Sequence, residues 1–237
     1  EMNKFIFDVD GTLTPSRQPI DSEFGEFFSE FCQDNEVYLV TGSDYPKTLE
    51  QLGERIVNRV NAVYNCSGND VWQHGKNIKR NNWKLPDECH KFLTGWLEGS
   101  KFPVRTGNHI EERPGTANFS IVGRNAASED RKLYVEWDTM WRERESIALQ
   151  FNMTYKDLTA TIGGDTGLDI YPTGYDKSQI IKDFNQKEDK LYFFGDKTLP
   201  GGNDEPLAKL INHSYQVRHW RDTWERLGYL QEAKIAG

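Results

Sequence analysis

One local pattern constrains this chain more than any other: a short apolar run that stops abruptly in a polar loop, with a helical stripe behind it. Lys4 to Phe7 runs into Asp8-Val9-Asp10-Gly11-Thr12. Phe24, Phe27, Phe28 and Phe31 then recur at i, i+3, i+4 and i+7, the spacing of one helix face, behind a capping Asp21 or Ser22. Val37 to Val40 runs into Thr41-Gly42-Ser43-Asp44, and Leu49, Leu52 and Ile56 form the next stripe after Pro46. Val60 to Tyr64 and Leu191 to Phe194, the latter entering Gly195-Asp196, complete the set. Uninterrupted apolar strands are buried on both faces, and their alternation with helices predicts an α/β fold with a doubly wound parallel sheet. Ligands of such sheets bind beyond the carboxyl ends of the strands, so Asp8, Thr41 and Asp196 are expected near one another.

Between about Val71 and Tyr175 the texture changes. Ala117 to Val122, Thr159 to Ile162 and Leu168 to Tyr171 read as strands around a helical Ser128 to Phe151. This predicts an α+β unit, residues 73–175, inserted between the two halves of a core formed by 1–72 and 176–237. Near the C-terminus, Trp220 and Trp224 stand at i, i+4, the spacing of a helix that packs both rings on the core.

Composition narrows the class. A formal charge of -8 argues against nucleic acid as a partner, because phosphate backbones are held by many Lys and Arg on one face. No apolar run reaches the roughly 18 to 20 residues of a membrane span, so no membrane contact is expected. Cys32, Cys66 and Cys89 are odd in number and far apart, which suggests neither a disulfide framework nor a zinc site and fits a cytoplasmic protein.

Two carboxylates at i and i+2 point apart on a strand but can converge in a tight loop just beyond it. Held that close they repel, and Mg²⁺ is the economical way to keep Asp8 ionised and nucleophilic, with Asp10 free to act as acid and base. Gly11 permits the turn. Thr41 and Ser43 offer hydroxyls and a helix N-terminus to a phosphoryl group, although Ser43 could equally be an ordinary N-cap. Lys177 can neutralise the charge there, or be a solvated helix lysine. Asp196 completes a hard-oxygen metal site with Asp8 and the Asp10 carbonyl, and Asn203 and Asp204 after Gly201-Gly202 are placed to support it.

These blocks, in this order, resemble the haloacid dehalogenase superfamily, in which the first Asp of DxDGT is the nucleophile. FDVDGTLTPSRQPI, EERPGTANFSIVGR, GLDIYPTGYDK and FFGDKTLPGGNDE are similar, more narrowly, to the eukaryotic-type phosphomannomutase family. The resemblance implies a core of that superfamily with an α+β cap. It also implies Asp8 as nucleophile and metal ligand, Asp10 as acid/base giving its carbonyl to the metal, and Asp196 as the remaining protein ligand. Arg17, Arg105 and Arg124, with Arg113 as a further candidate, match arginines used on substrate, and Asp169 matches a carboxylate that holds sugar hydroxyls. Gly167 stands where a ligand-contacting serine is usual, Thr41 where glycine is common, and Ser67-Gly68-Asn69-Asp70 where Glu-Asn-Gly is usual. These departures bear on the sugar rather than on the phosphoryl chemistry.

The activity so implied is interconversion of mannose 6-phosphate and mannose 1-phosphate through an aspartyl-phosphate. Mg²⁺ and a hexose 1,6-bisphosphate activator are the implied cofactors, a small sugar phosphate is the partner, and the assembly is a homodimer through the cap. A sugar-phosphate phosphatase on the same fold is the alternative. Independently of any family, arginines beside Gly-rich turns in an acidic chain suggest a phosphate site, because the guanidinium fork donates bidentately.

Overall fold

The apolar run that follows Met2 forms a central strand because both of its faces are covered. The computed structural model describes residues 2–236, with side chains as far as 234. Its contacts divide into two units, Glu1–Arg80 with Tyr175–Gly237, and Asn81–Gly174. The first unit begins β1 (Asn3–Asp8), α1 (Ser22–Asp34), β2 (Glu36–Val40), α2 (Tyr45–Arg59), β3 (Ala62–Asn65), β4 (Asp70–Gln73) and β5 (Lys76–Arg80). The second unit follows, with α3 (Asp87–Gly99), β6 (Ile110–Arg113), β7 (Thr116–Ser120), α4 (Ser128–Trp141), α5 (Glu143–Thr154), β8 (Leu158–Gly163) and β9 (Gly167–Pro172). The chain then returns to the first unit through a 3₁₀ segment, Lys177–Asp183, to β10 (Lys190–Gly195), α6 (Glu205–Ala208), β11 (His213–Gln216) and α7 (Trp220–Ala236).

In the first unit the sheet order is β11-β10-β1-β2-β3-β4-β5, parallel from β11 to β3 and closed by an antiparallel β4–β5 hairpin. The chain leaves β1 for β2 on one side and comes back to β10 on the other, so the switch in strand order lies at β1. Successive side chains of β1 enter opposite layers. Phe7 stacks on Phe194 at 5.0 Å and meets Phe28 of α1 edge-on at 5.1 Å, while Ile6 packs with Val40, Ile180 and Phe193 on the other face. Each fully buried ring contributes roughly 1.5–3 kcal/mol, which makes this two-sided burial the main support of the strand. Asp21 caps α1 by accepting from the N–H groups of Glu23 and Phe24. Trp220 and Trp224 of α7 stack on Phe24 at 5.9 and 5.4 Å, as their spacing predicts.

In the second unit an antiparallel sheet, ordered β6-β7-β9-β8, buries one face. Ala117, Phe119, Leu168, Ile170 and Ala160 on the strands pack with Cys89 and Leu93 of α3, Tyr134 of α4, and Ile147 and Phe151 of α5.

Three sequence expectations are corrected here. Residues 73–80, read as the start of the insert, belong to the core sheet, because β4 and β5 pair with each other and β4 pairs with β3. The helix expected over Ser128 to Phe151 is two helices, broken where Arg142 takes a left-handed conformation (φ 53, ψ 45). Val60 ends α2, its N–H bonding to the Ile56 carbonyl, so β3 begins only at Ala62. None of the helices among the described residues is long and apolar enough to cross a membrane.

Candidate active site

The carboxyl ends of β1, β2 and β10 deliver Asp8, Thr41 and Asp196, as parallel register requires: Asp8 pairs with Val40, one residue before Thr41, and Phe7 with Phe194, two before Asp196. Asp8 is buried. Its Oδ1 accepts from Lys177 Nζ at 2.7 Å and its Oδ2 from the Thr12 hydroxyl at 3.2 Å. Lys177 is no solvated lysine: it is 1% exposed, and its Nζ donates a second bond, also 2.7 Å, to Oδ1 of buried Asp204. Asp204 Oδ2 accepts from the Lys197 N–H at 3.1 Å, which fixes the turn after β10. Gly11 sits at φ 79, and a Cβ there would come within 2.2 Å of Asp196 Oδ2. Glycine therefore lets the loop after β1 and the end of β10 close on each other.

Two carboxylates hold one ammonium, and a third, that of Asp196, stands beside them. Burial first, then the charges of Asp204 and Asp196, push the Asp8 carboxyl well above the usual carboxylate range, against the opposing pull of Lys177. Asp196 is raised as well, mainly by burial. Burial alone would lower the Lys177 pKa, but Asp204 and Asp8 outweigh it and the ammonium is held charged. One cation thus cannot neutralise the cluster, and carboxylate oxygens of Asp8, Asp196 and Asp204 lie within 4.8 Å of one another. A hard, all-oxygen donor set with surplus negative charge suits Mg²⁺.

The neighbouring residues sort differently from the sequence reading. Asp44, not Ser43, caps α2, accepting from the Lys47 N–H at 3.0 Å. Ser43 is left in the loop, where its N–H donates to the hydroxyl oxygen of buried Thr41. Asp10 is half-buried, and its Oδ1 accepts from the Arg17 N–H at 2.9 Å and from Gln51 Nε2 at 2.6 Å. Arg17 has a φ of 61 and an exposed side chain. Asn203 is exposed, so of the two residues expected to support the site only Asp204 does so.

The second unit assembles a separate polar face. Glu111 pairs with Asn118, and Asn118 with Asp169, straight across β6, β7 and β9, which puts the three on one side of the sheet. The Asn118 amide donates to Asp169 Oδ1 at 2.9 Å and accepts from Arg124 Nη1 at 2.8 Å. Glu111 draws in both Arg113, at 3.1 Å, and Arg124. At Gly167 a Cβ would lie 2.8 Å from the Asn118 amide nitrogen, so the bare backbone there gives Asn118 its place. Arg105 is the correction. Its guanidinium donates to the carbonyls of Leu97, Ser100 and Phe102, the first at 2.9 Å and the second at 2.8 Å, and so closes the C-terminal end of α3 instead of joining the row.

Sequence reasoning missed Thr12, Gln51, Glu111 and Asn118. Thr12 stands within the first motif and Glu111 beside the arginines, so both carry a local signal; Asn118 needs the sheet register.

A sequence profile described as eukaryotic phosphomannomutase matches residues 24–231. The chain belongs to the eukaryotic phosphomannomutase family. Phosphomannomutase of Drosophila melanogaster is 35% identical over 223 residues, which cover 88% of this chain and 88% of that protein. Phosphomannomutase 1 of Homo sapiens is 33% identical over 223 residues, 88% of this chain and 85% of that one. In structure, a haloacid dehalogenase-like hydrolase from Bacteroides thetaiotaomicron matches with a TM-score of 0.56 at 13% identity, covering 89% of this chain and 86% of that one. That likeness is one of fold: the haloacid dehalogenase α/β core carrying an inserted α+β unit. The profile match begins after the loop that holds Asp8 and Asp10.

Proposed function

We infer that the chain is a phosphomannomutase, which interconverts mannose 6-phosphate and mannose 1-phosphate by way of a phosphorylated Asp8. The observation that carries the reading is Asp8 itself, buried at the end of the central strand and bonded to Lys177, in a chain of this family. An Asp8 oxygen forms a bond to one phosphorus of a hexose 1,6-bisphosphate as the bond from that phosphorus to the sugar oxygen breaks, leaving a sugar monophosphate, and Asp10 protonates the departing oxygen. In the second half-reaction the other hydroxyl gives its proton to Asp10 and takes the phosphoryl group from Asp8. The two halves share a hexose 1,6-bisphosphate, which is why a trace of bisphosphate is required as activator. Lys177 offsets charge on the transferring oxygens and holds Asp8 in place. Asp8, Asp196 and the Asp10 carbonyl, beside Asp204, would hold Mg²⁺, which would supply further charge neutralisation at the phosphoryl group.

Thr41 and Ser43 belong to the transferring end of the substrate in this reading, and Arg17, matched to an arginine of the distal phosphate, remains a further substrate contact. Arg113 and Arg124 recognise the phosphate that stays, and Asp169, oriented by Asn118, takes sugar hydroxyls. Arg105 is left out because its donors are spent on carbonyls. The homodimer through the inserted unit stays part of the proposal, carried by the family alone.

The test is mannose 1-phosphate with Mg²⁺, with and without a trace of hexose 1,6-bisphosphate, followed by phosphorus NMR. Mannose 6-phosphate is expected to form only with the bisphosphate and much faster than inorganic phosphate appears. Phosphate release that matches or outruns isomerisation makes the chain a phosphatase.

A further inference from the structure

We propose that Gln51 is a positioning residue that fixes the Asp10 carboxyl so that Oδ2 is the oxygen presented to the substrate. Gln51 lies on α2, 2% exposed, in a helix whose other buried residues include Leu52, Ile56 and Val57. A buried glutamine amide needs a reason, and here the reason is the loop that follows Asp8. Nε2 donates to Asp10 Oδ1 at 2.6 Å, to Thr14 Oγ1 at 3.2 Å and to the Gln18 carbonyl at 3.4 Å. The Thr14 hydroxyl spends its own proton on the Pro15 carbonyl at 2.8 Å, so it can only accept from Gln51. Three acceptors face one end of the amide, which sets that end as nitrogen. The opposite oxygen, Oε1, is buried and has no donor among the described residues. Gln51 is therefore held for what its N–H groups do.

What they do falls on one oxygen. Asp10 Oδ1 receives Gln51 Nε2 and also the N–H of Arg17, at 2.9 Å, from a backbone in the left-handed region at φ 61. Among the described residues no donor reaches Oδ2. Two N–H groups occupy Oδ1, so Oδ2 is the oxygen left free to meet the reacting sugar oxygen. The two donors also stop the carboxyl from turning over about its Cβ–Cγ bond. Both half-reactions then use the same oxygen, giving the proton up in one and recovering it in the other. Without Gln51 a single backbone donor remains, and the group can present either oxygen.

The proposal rests on Asp10 being the acid and base, and the experiment separates the two ideas by leaving group. A sugar alkoxide needs a proton in order to leave, whereas the phenolate of p-nitrophenyl phosphate does not. Gln51→Met, which keeps the length and removes the donor, is expected to lower kcat/KM for the sugar phosphate about 10- to 100-fold, the loss that a misplaced group gives. The first-turnover release of p-nitrophenolate, which phosphorylates Asp8 without an acid, should stay within about twofold. Asp10→Asn should lose the sugar-phosphate activity, and adding Gln51→Met to Asp10→Asn should cost nothing further on that substrate. Equal losses of Gln51→Met on both substrates would make Gln51 a structural clasp of the loop, and no loss on the sugar phosphate would overturn the proposal outright. If Asp10→Asn keeps its sugar-phosphate activity, it is the acid–base reading that fails, and Gln51 fails with it. Should Gln51→Met not fold, the side-chain amide protons of Gln51 in the otherwise unaltered protein decide: one is expected downfield, and expected to move when Asp10→Asn changes the acceptor it meets. An unmoved resonance refutes the contact.

Discussion

Replacing Lys177 by methionine should unfold the first unit at a temperature well below that of the unaltered protein, and for an electrostatic reason rather than a packing one. Methionine matches the stem of the lysine but has no charge. The ammonium is 1% exposed and makes two bonds of 2.7 Å, to Asp8 and to Asp204, which are themselves buried. Removing one partner of a buried ion pair strands the others without solvent, at a cost of roughly 3–5 kcal/mol. At about 2–4 °C per kcal/mol for a protein of this size, the thermal midpoint should fall by about 6–20 °C. The assay is a thermal or urea melt of Lys177→Met, Asp204→Asn and the double variant, all without metal. Asp204→Asn keeps a group able to accept from the Lys197 N–H and removes one stranded charge. The double variant should therefore be more stable than the sum of the single losses by about 0.5–3 kcal/mol. A loss below about 1 kcal/mol for Lys177→Met, or strict additivity in the double variant, would refute the reasoning and leave Lys177 as a residue of chemistry alone.

Asp8→Asn should abolish isomerisation while the protein melts no lower than before, because the amide keeps the shape and relieves repulsion from Asp196 and Asp204; residual turnover above about one part in a thousand would remove Asp8 as nucleophile. Asp8 and Asp196 have carboxyl pKa values raised by folding, so without metal the unfolded chain loses its protons first, and stability from this cluster is full below the ordinary carboxylate pKa and lost as pH rises through the raised one. Mg²⁺ should therefore raise the thermal midpoint more at pH 8 than at pH 5, with about 2.7 kcal/mol available at a hundredfold excess over Kd, and a rise independent of pH would contradict the carboxylate cluster as the site. Arg105→Ala and Arg124→Ala should part company. The first is expected to destabilise by about 1–3 kcal/mol through carbonyls left without a donor, at unchanged KM. The second should raise KM for the sugar phosphate by one to two decades per lost charged bond, at about 1.5–3 kcal/mol each, and spare p-nitrophenyl phosphate. The same KM change from both would return Arg105 to the substrate.

Much of this site could be read from the sequence because parallel sheets advertise their functional ends. An apolar run must stop where the strand leaves the core, so the run-to-polar boundary alone marks Asp8, Thr41 and Asp196 as strand ends. The helix pattern of Phe24, Phe28 and Phe31, and of Trp220 and Trp224, is equally local and equally legible. The β4–β5 hairpin escaped because every residue of β5 is exposed, which leaves no apolar alternation to read. The break at Arg142 escaped because it has neither glycine nor proline to announce it.

What tertiary structure alone decided is which charge meets which. Lys177 and Asp8 are 169 positions apart, and no spacing rule connects them; only the return of the chain to β10, beside β1, brings the loops together. Arg105 and Arg124 look alike in sequence because a guanidinium fork suits carbonyl oxygens as well as phosphate. Geometry separates them, with the first folded onto the end of α3 and the second lying along the row of Glu111, Asn118 and Asp169. That row depends on strand register, which is set by long-range pairing. Gln51 shows the same limit at the scale of one amide: the sequence places a polar side chain beside an apolar stripe, and only the loop folded over it tells which oxygen of Asp10 it holds.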